Sequence, residues 1–192
     1  SYLRRYSHFS GGKNDDNREN LYFLLNDDYT KKLIIIYGIA SGMSYMHSFN
    51  ILHRFLKPSN ILLDDLLHPK ITGFDFSKEI FQRSIKEMKL KGNIRYMAPE
   101  ILSELEYGKP SDVYSFAFLM YEILTSQKPF DDIKSKIEII MNITLFKTRP
   151  KFKSEIPLCF KSLIEKCWEQ DPKKRPTFDE IVFELKNNPK FI

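Results

Sequence analysis

The chain has 192 residues, 42% of them apolar and 29% charged, with a formal net charge of +5. That balance excludes a disordered chain and suits one globular domain, or a large piece of a bigger one, with a substantial buried core. The two longest apolar-rich stretches, residues 33–43 and 113–124, are shorter than the roughly 20 residues that cross a bilayer, so no membrane partner is expected.

In chain order, residues 1–17 are polar and irregular, ending in GGKNDDN, and read as a loop or linker. No secretory-leader pattern is read in them. A short helical pattern runs from Glu19 to Leu25. Asp28 or Thr30 is placed to cap a helix from about Lys31 to Ser48, whose run Leu33, Ile34, Ile35, Ile36, Tyr37 is too wide for one stripe and predicts enclosure on most sides. Gly38 and Gly42, one turn apart inside it, predict close packing against a neighbour.

Short apolar runs at Ile61–Leu63 and Lys70–Thr72, separated by Asp64-Asp65 and His68-Pro69, predict a small hairpin. Residues 77–97 read as a polar, basic loop, and 113–124 as a central buried helix. Pro157 suits the first turn of a helix ending near Trp168, and Thr177 with Glu180 forms a T-x-x-E capping box for a last helix to about Lys186. Residues 128–157 are read as a loop. Cys159 and Cys167 share one helical segment, where eight residues span roughly 12 Å. A disulfide tolerates about 7 Å between Cα atoms at most, so reduced thiols and a cytoplasmic setting are expected. The four histidines lack metal-ligand spacing. The basic clusters at 86–95 and 146–152 are read as solvated loop faces, with no nucleic-acid partner expected.

Five segments carry the functional signal: HRFLKPSN (53–60), KITGFDFSK (70–78), GNIRYMAPE (92–100), SDVYSFAFLMYEILT (111–125) and CWEQDPKKRPTFDEI (167–181). In this order and spacing they resemble the large, C-terminal lobe of a eukaryotic protein kinase. They match, in turn, the catalytic loop H-R-D-L-K-P-x-N, the strand and metal-binding turn, the end of the activation segment, the long central helix and the closing helices. Lys57 resembles the serine/threonine type, and the C-W-x-x-D-P-x-x-R-P form the tyrosine-kinase-like group. The resemblance implies a mainly α fold with one small β-hairpin over residues 18–187, followed by a tail at 188–192. Nothing in the 192 residues resembles the small lobe, with its G-x-G-x-x-G turn and V-A-I-K lysine.

The resemblance also assigns roles. Where the catalytic loop carries its aspartate, the group that takes the substrate hydroxyl proton, this chain has Phe55. A phenyl ring accepts no proton, and losing a general base costs on the order of 10² to 10⁴ in rate. Counted on from Asn60, the magnesium aspartate position falls on Gly73, so the turn reads G-F-D and Asp75 is displaced by two residues. A second register would make Asp75-Phe76-Ser77 the turn. Gly92-Asn93 stands where serine/threonine members read G-T. Lys57 and Asn60 remain as remnants of the γ-phosphate and magnesium contacts, or as plain loop hydrogen-bonding groups.

His53, Arg54 and Asp112 are implied to hold the loop to the central helix, and Arg175 to pair with Glu100. Ser84, the one hydroxyl between Lys78 and Gly92, is either a phosphorylation site whose phosphate would pair with Arg54 or an ordinary exposed serine. Base, metal ligand and base partner all differ while packing residues stay. The expectation is therefore a pseudokinase acting as a protein-binding or allosteric scaffold in signalling, with a protein partner and no cofactor. A working ATP- and Mg²⁺-dependent serine/threonine kinase domain, its small lobe outside these residues, is the first alternative. A truncated product without stable function is the second.

Overall fold

The computed structural model describes residues 28–74, 93–103 and 107–191. The expected helix at 19–25, most of the basic loop at 77–97, Asp75 and Ser84 lie outside the described residues. Within them the fold is mainly helical, with one two-stranded antiparallel sheet.

Helix α1, Tyr29–Ser48, is capped by Asp28, whose Oδ1 accepts from the Thr30 and Lys31 amides at 3.0 and 3.1 Å. Those bonds satisfy two of the donors a helix N-terminus leaves open, and they hold the Asp28 carboxyl below its usual range. Ile35, Ile36, Ile39, Ala40 and Met43 are buried, as the broad apolar run requires. Even Lys32 is buried, its ammonium donating to the Leu124 carbonyl at 3.2 Å.

Strands β1, Ile61–Leu63, and β2, Pro69–Ile71, pair with Ile61 opposite Ile71 and Leu63 opposite Pro69. The second strand thus begins one residue earlier than the sequence predicts. Pro69 has no amide hydrogen to give, yet it sits at the first position of a strand, where proline is tolerated. The hairpin lies directly on α1. A Cβ at Gly38 would fall 2.5 Å from Pro69 Cγ, and one at Gly42 2.9 Å from Ile71 Cδ1. The two glycines allow this contact, as their spacing predicts.

A short helix, α2 (Pro99–Leu102), precedes the central α3, Lys109–Thr125. Helix α3 starts four residues before Val113, because Pro110 fits a first turn that needs no amide donor. Every residue from Ser111 to Thr125 is buried. Phe118 packs on Trp168 with ring centroids 5.5 Å apart, and Phe116 meets Phe178 edge-on at 5.3 Å.

The segment read as a loop from 128 to 157 contains a helix, α4, at Lys136–Thr144. Ser135 caps it by accepting from the Glu138 amide, and Ile139 and Ile143, four residues apart, enter the core. Helices α5, Leu158–Cys167, and α6, Phe178–Asn187, close the fold near their expected bounds. Pro157 stands at the N-cap of α5, just before the first turn, and Trp168 at its C-cap. The Thr177–Glu180 capping box forms, with Glu180 Oε2 accepting from the Thr177 amide at 2.7 Å. Cys159 and Cys167 lie on α5 as expected, and burial pushes the Cys167 thiol well up. The closing residues are packed: Pro189–Phe191 form a 3₁₀ turn that buries Phe191 edge-on against Phe160 at 4.9 Å. Among the described residues no helix is long and apolar enough to cross a membrane.

Candidate functional site

The segment 53–60 is held from three directions. The amides of His53 and Arg54 donate to the two carboxylate oxygens of Asp112, at 2.9 Å to Oδ2 and 2.8 Å to Oδ1. Arg54 takes a positive φ of 65°, sparsely populated for a residue with a side chain, and the Asp112 bond fixes it there. The His53 ring bridges to the hairpin: Nε2 lies 2.9 Å from the Thr72 carbonyl, and Nδ1 accepts from the Phe55 amide at 3.2 Å. That pair of partners fits the neutral imidazole protonated on Nε2. Burial accordingly lowers the His53 pKa, outweighing the Thr72 carbonyl and the Asp112 charge, which raise it.

Past this point the loop folds onto itself. Asn60 donates from Nδ2 to the Phe55 carbonyl at 2.7 Å, closing the 3₁₀ turn Pro58–Asn60. The Asn60 carbonyl accepts from both the amide and the hydroxyl of Thr72, at 2.8 and 3.1 Å, so the turn is tied to the end of β2. The Lys57 ammonium lies over the Phe55 ring, 4.1 Å from its centroid, a cation–π contact. Gly73 follows with φ +88°, and a Cβ there would meet Asn60 Nδ2 at 2.6 Å. The Asn60 amide therefore fills the space a side chain at 73 would need. Phe55, Lys57, Asn93, Met97, Ile101 and Tyr107 line an adjoining shallow cleft.

Asp112 collects more than the sequence motifs predict. His47 Nε2 lies 2.9 Å from its Oδ2, and the Tyr107 hydroxyl donates to its Oδ1 at 2.6 Å. The carboxylate is fully buried with four partners, as a buried charge requires. Burial, then the facing Asp112 charge, pushes the Tyr107 hydroxyl well above its ordinary pKa and keeps it a donor. The Arg54 guanidinium lies over the Tyr107 ring at 5.6 Å.

The neighbouring residue on α3 serves a second network. Ser111 donates to Glu100 Oε1 at 2.7 Å, and Arg175 grips both Glu100 oxygens at 2.7 and 2.9 Å. Arg175 also donates to the carbonyls of Glu169 and Pro110 at 2.8 and 2.9 Å. Consecutive residues in the first turn of α3 thus anchor the 53–60 loop and the Glu100–Arg175 pair. His53, Arg54 and Asp112 come together, as do Phe55, Lys57, Asn60 and Gly73. His47, Tyr107 and Ser111 were not singled out in the sequence, where each is an isolated polar residue outside or incidental to a motif. Arg95 was also missed: its guanidinium donates to the carbonyls of Pro129, Phe130 and Ile133.

A family model described as "Protein kinase domain" matches residues 17–184. The chain belongs to the protein kinase family. It is 38% identical over 160 residues to a putative serine/threonine-protein kinase/receptor of Acanthamoeba polyphaga mimivirus, covering 82% of this chain and 9% of that protein. It is 40% identical over 156 residues to serine/threonine-protein kinase 12 of Arabidopsis thaliana, covering 78% of this chain and 34% of that one. A probable serine/threonine-protein kinase of Dictyostelium discoideum is 34% identical over 179 residues, 93% of this chain and 19% of that protein. The chain thus spans only a part, from 9% to 34%, of the length of these kinases. Its helices and small sheet correspond to a kinase C-terminal lobe.

Proposed function

We propose that this kinase-family lobe is a pseudokinase of the tyrosine-kinase-like, serine/threonine type, working in the cytoplasm as a protein-binding or allosteric scaffold in signalling. One observation carries the reading: the Lys57 ammonium rests on the Phe55 ring, where an active loop would set a lysine beside a carboxylate. An aromatic face attracts a cation but neither accepts a proton nor orients a hydroxyl. Phosphoryl transfer depends almost wholly on positioning and charge neutralisation, so a hydrocarbon at this point removes a working part.

The described residues do not fit a magnesium–nucleotide pair. Gly73 offers no carboxylate, and the Asn60 amide already occupies the space beside it and donates to the Phe55 carbonyl. What the fold keeps is rigidity: Asp112 and Glu100, both buried, lock the loop and the activation-segment end onto α3. A rigid surface without chemistry suits protein binding.

The test is an assay of the purified chain with magnesium, radiolabelled ATP and casein as a generic substrate. Transfer no higher than background is expected, and Phe55→Asp alone does not restore it, because Gly73 remains. Robust magnesium-dependent phosphorylation by the unmutated chain would establish the active-kinase reading and overturn this one.

A further inference from the structure

Helix α4 has two apolar faces, and the fold uses one. Ile139 and Ile143 are buried, against α2 and the 94–96 turn. Ile137, Met141 and Leu145, also four residues apart, form a ridge on the helix and its C-cap, with Phe146 next in sequence. They are 71%, 38%, 67% and 63% exposed. Spacing of four keeps such side chains on one face, and eight residues extend it over roughly 12 Å. Single exposed apolar residues are ordinary on a surface, but four gathered within the ten residues 137–146 are a patch.

The patch is held in shape. Arg95 fixes the preceding loop through three carbonyls, and Ser135 caps the helix. At the other end the Leu145 and Phe146 amides both reach the Met141 carbonyl, at 2.9 and 3.0 Å, before Lys147 turns the chain at φ +54°. A surface already in its final form loses little conformational freedom on binding.

Its rim is basic. Lys134 and Lys136 stand at the N-terminal end of the ridge and Lys147 at the C-terminal end, with Glu138 the single carboxylate from 134 to 147. From Asp131 to Lys153 there are six cations against three carboxylates, and with Arg149 turned onto the Trp168 carbonyl the other five are left to the surface. Lys134 and Lys136 also sit at the positive pole of the helix dipole, where Glu138 is the one carboxylate in the first turn and a further anion from outside is favoured.

We propose that the exposed ridge of α4 docks an acidic amphipathic helix of a partner protein, its apolar face on Ile137, Met141, Leu145 and Phe146 and its carboxylates on the flanking lysines. A ridge of this spacing fits the groove of a second helix, and the charge selects its sign. The inference rests on the protein-binding half of the proposed function and is independent of the loss of phosphoryl transfer.

The full chain is titrated into a fluorescein-labelled peptide of about 18 residues, with leucine at helical spacing and glutamate elsewhere, and anisotropy is followed. A matched peptide carries lysine in place of glutamate. Binding of the acidic peptide at least about tenfold tighter than the basic one, weakening as salt is raised, is expected. Met141→Glu and Phe146→Ser should each lose about tenfold or more, and Lys136→Glu with Lys147→Glu should reverse the peptide preference. Unchanged circular dichroism and melting confirm that these surface variants fold. Equal affinity for the two peptides, no binding, or binding untouched by Met141→Glu overturns the proposal. So does sedimentation showing a dimer of the chain that Met141→Glu dissociates, which gives the ridge to a second copy. Casein phosphorylation alongside acidic-peptide binding would overturn the proposed function alone.

Discussion

Arg175 holds Glu100 by two parallel hydrogen bonds, Nη1 to Oε1 at 2.7 Å and Nη2 to Oε2 at 2.9 Å, across 75 residues of sequence. The Arg175 side chain is fully buried and that of Glu100 is 8% exposed, so neither charge has water to fall back on. Removing one partner of such a pair costs roughly 3 to 5 kcal/mol, because the other is left uncompensated. Arg175→Ala is expected to lower the urea midpoint accordingly and to speed hydrogen exchange across residues 93–103. If the proposed scaffold reading holds and Lys57 is no more than a remnant of a phosphate contact, partner binding should weaken in Arg175→Ala and persist in Lys57→Ala. Equal loss in both variants would mean that the remnant matters and the scaffold reading fails.

Asp112 invites a second measurement. Its carboxylate receives the His53 and Arg54 amides and the Tyr107 hydroxyl, with His47 beside it. Asp112→Ala strands several buried donors, each costing about 1 to 3 kcal/mol when unsatisfied. A loss of at least about 3 kcal/mol is expected by denaturant titration. Because Arg54 is held at positive φ by that bond, exchange at residues 53–56 should rise before that of α5. A uniform rise across both regions would show that Asp112 acts on global stability alone.

Much of this arrangement is legible in the sequence where one local rule decides the outcome. The Thr177–Glu180 box marks the start of α6, and the glycines at 38 and 42 mark where the hairpin presses on α1. Helix α4 escapes because its run Ile137–Ile143 is short and rich in β-branched residues, so its period is blurred. The missed signal is Ser135-x-x-Glu138, the same S/T-x-x-E spacing recognised at Thr177. The Asp112 hub was half visible. His53 and Arg54 come with a motif, whereas His47 and Tyr107 reach the carboxylate only through the fold.

The Gly73–Asn60 contact bears on nucleotide. With φ at +88° and the Asn60 amide 2.6 Å from where a Cβ would stand, Gly73→Asp or Gly73→Ala is strained in both backbone and space. A destabilisation of about 1 to 3 kcal/mol is expected for either. The unmutated chain should show no upward shift in melting with millimolar magnesium-ATP. A ligand at 100 times its dissociation constant would add about 2.7 kcal/mol, well within reach of calorimetry. A clear rise in melting temperature would establish a nucleotide site here.

His53 gives the fold a pH dependence of definite sign. Its ring is buried, its Nδ1 accepts from the Phe55 amide, and burial holds its pKa below the ordinary histidine value of about 6.5. Protonation would place a second N–H against the Phe55 amide and a charge in a buried setting. Because the folded pKa is the lower one, the unfolded chain binds more protons as pH falls below about 6.5, and stability then declines down through the folded pKa. Above about 6.5 both states are neutral and the contribution is complete. Between about pH 7 and pH 5.5, the carboxylates of Asp28, Asp64 and Glu180, all held below their usual range, stay ionised in the folded chain and add little slope of their own. Urea midpoints taken over that interval should therefore fall toward acid in the unmutated chain. They should fall less in His53→Gln, which keeps a donor for the Thr72 carbonyl but has no proton to gain. Identical slopes for the two proteins would assign the acid sensitivity to another group.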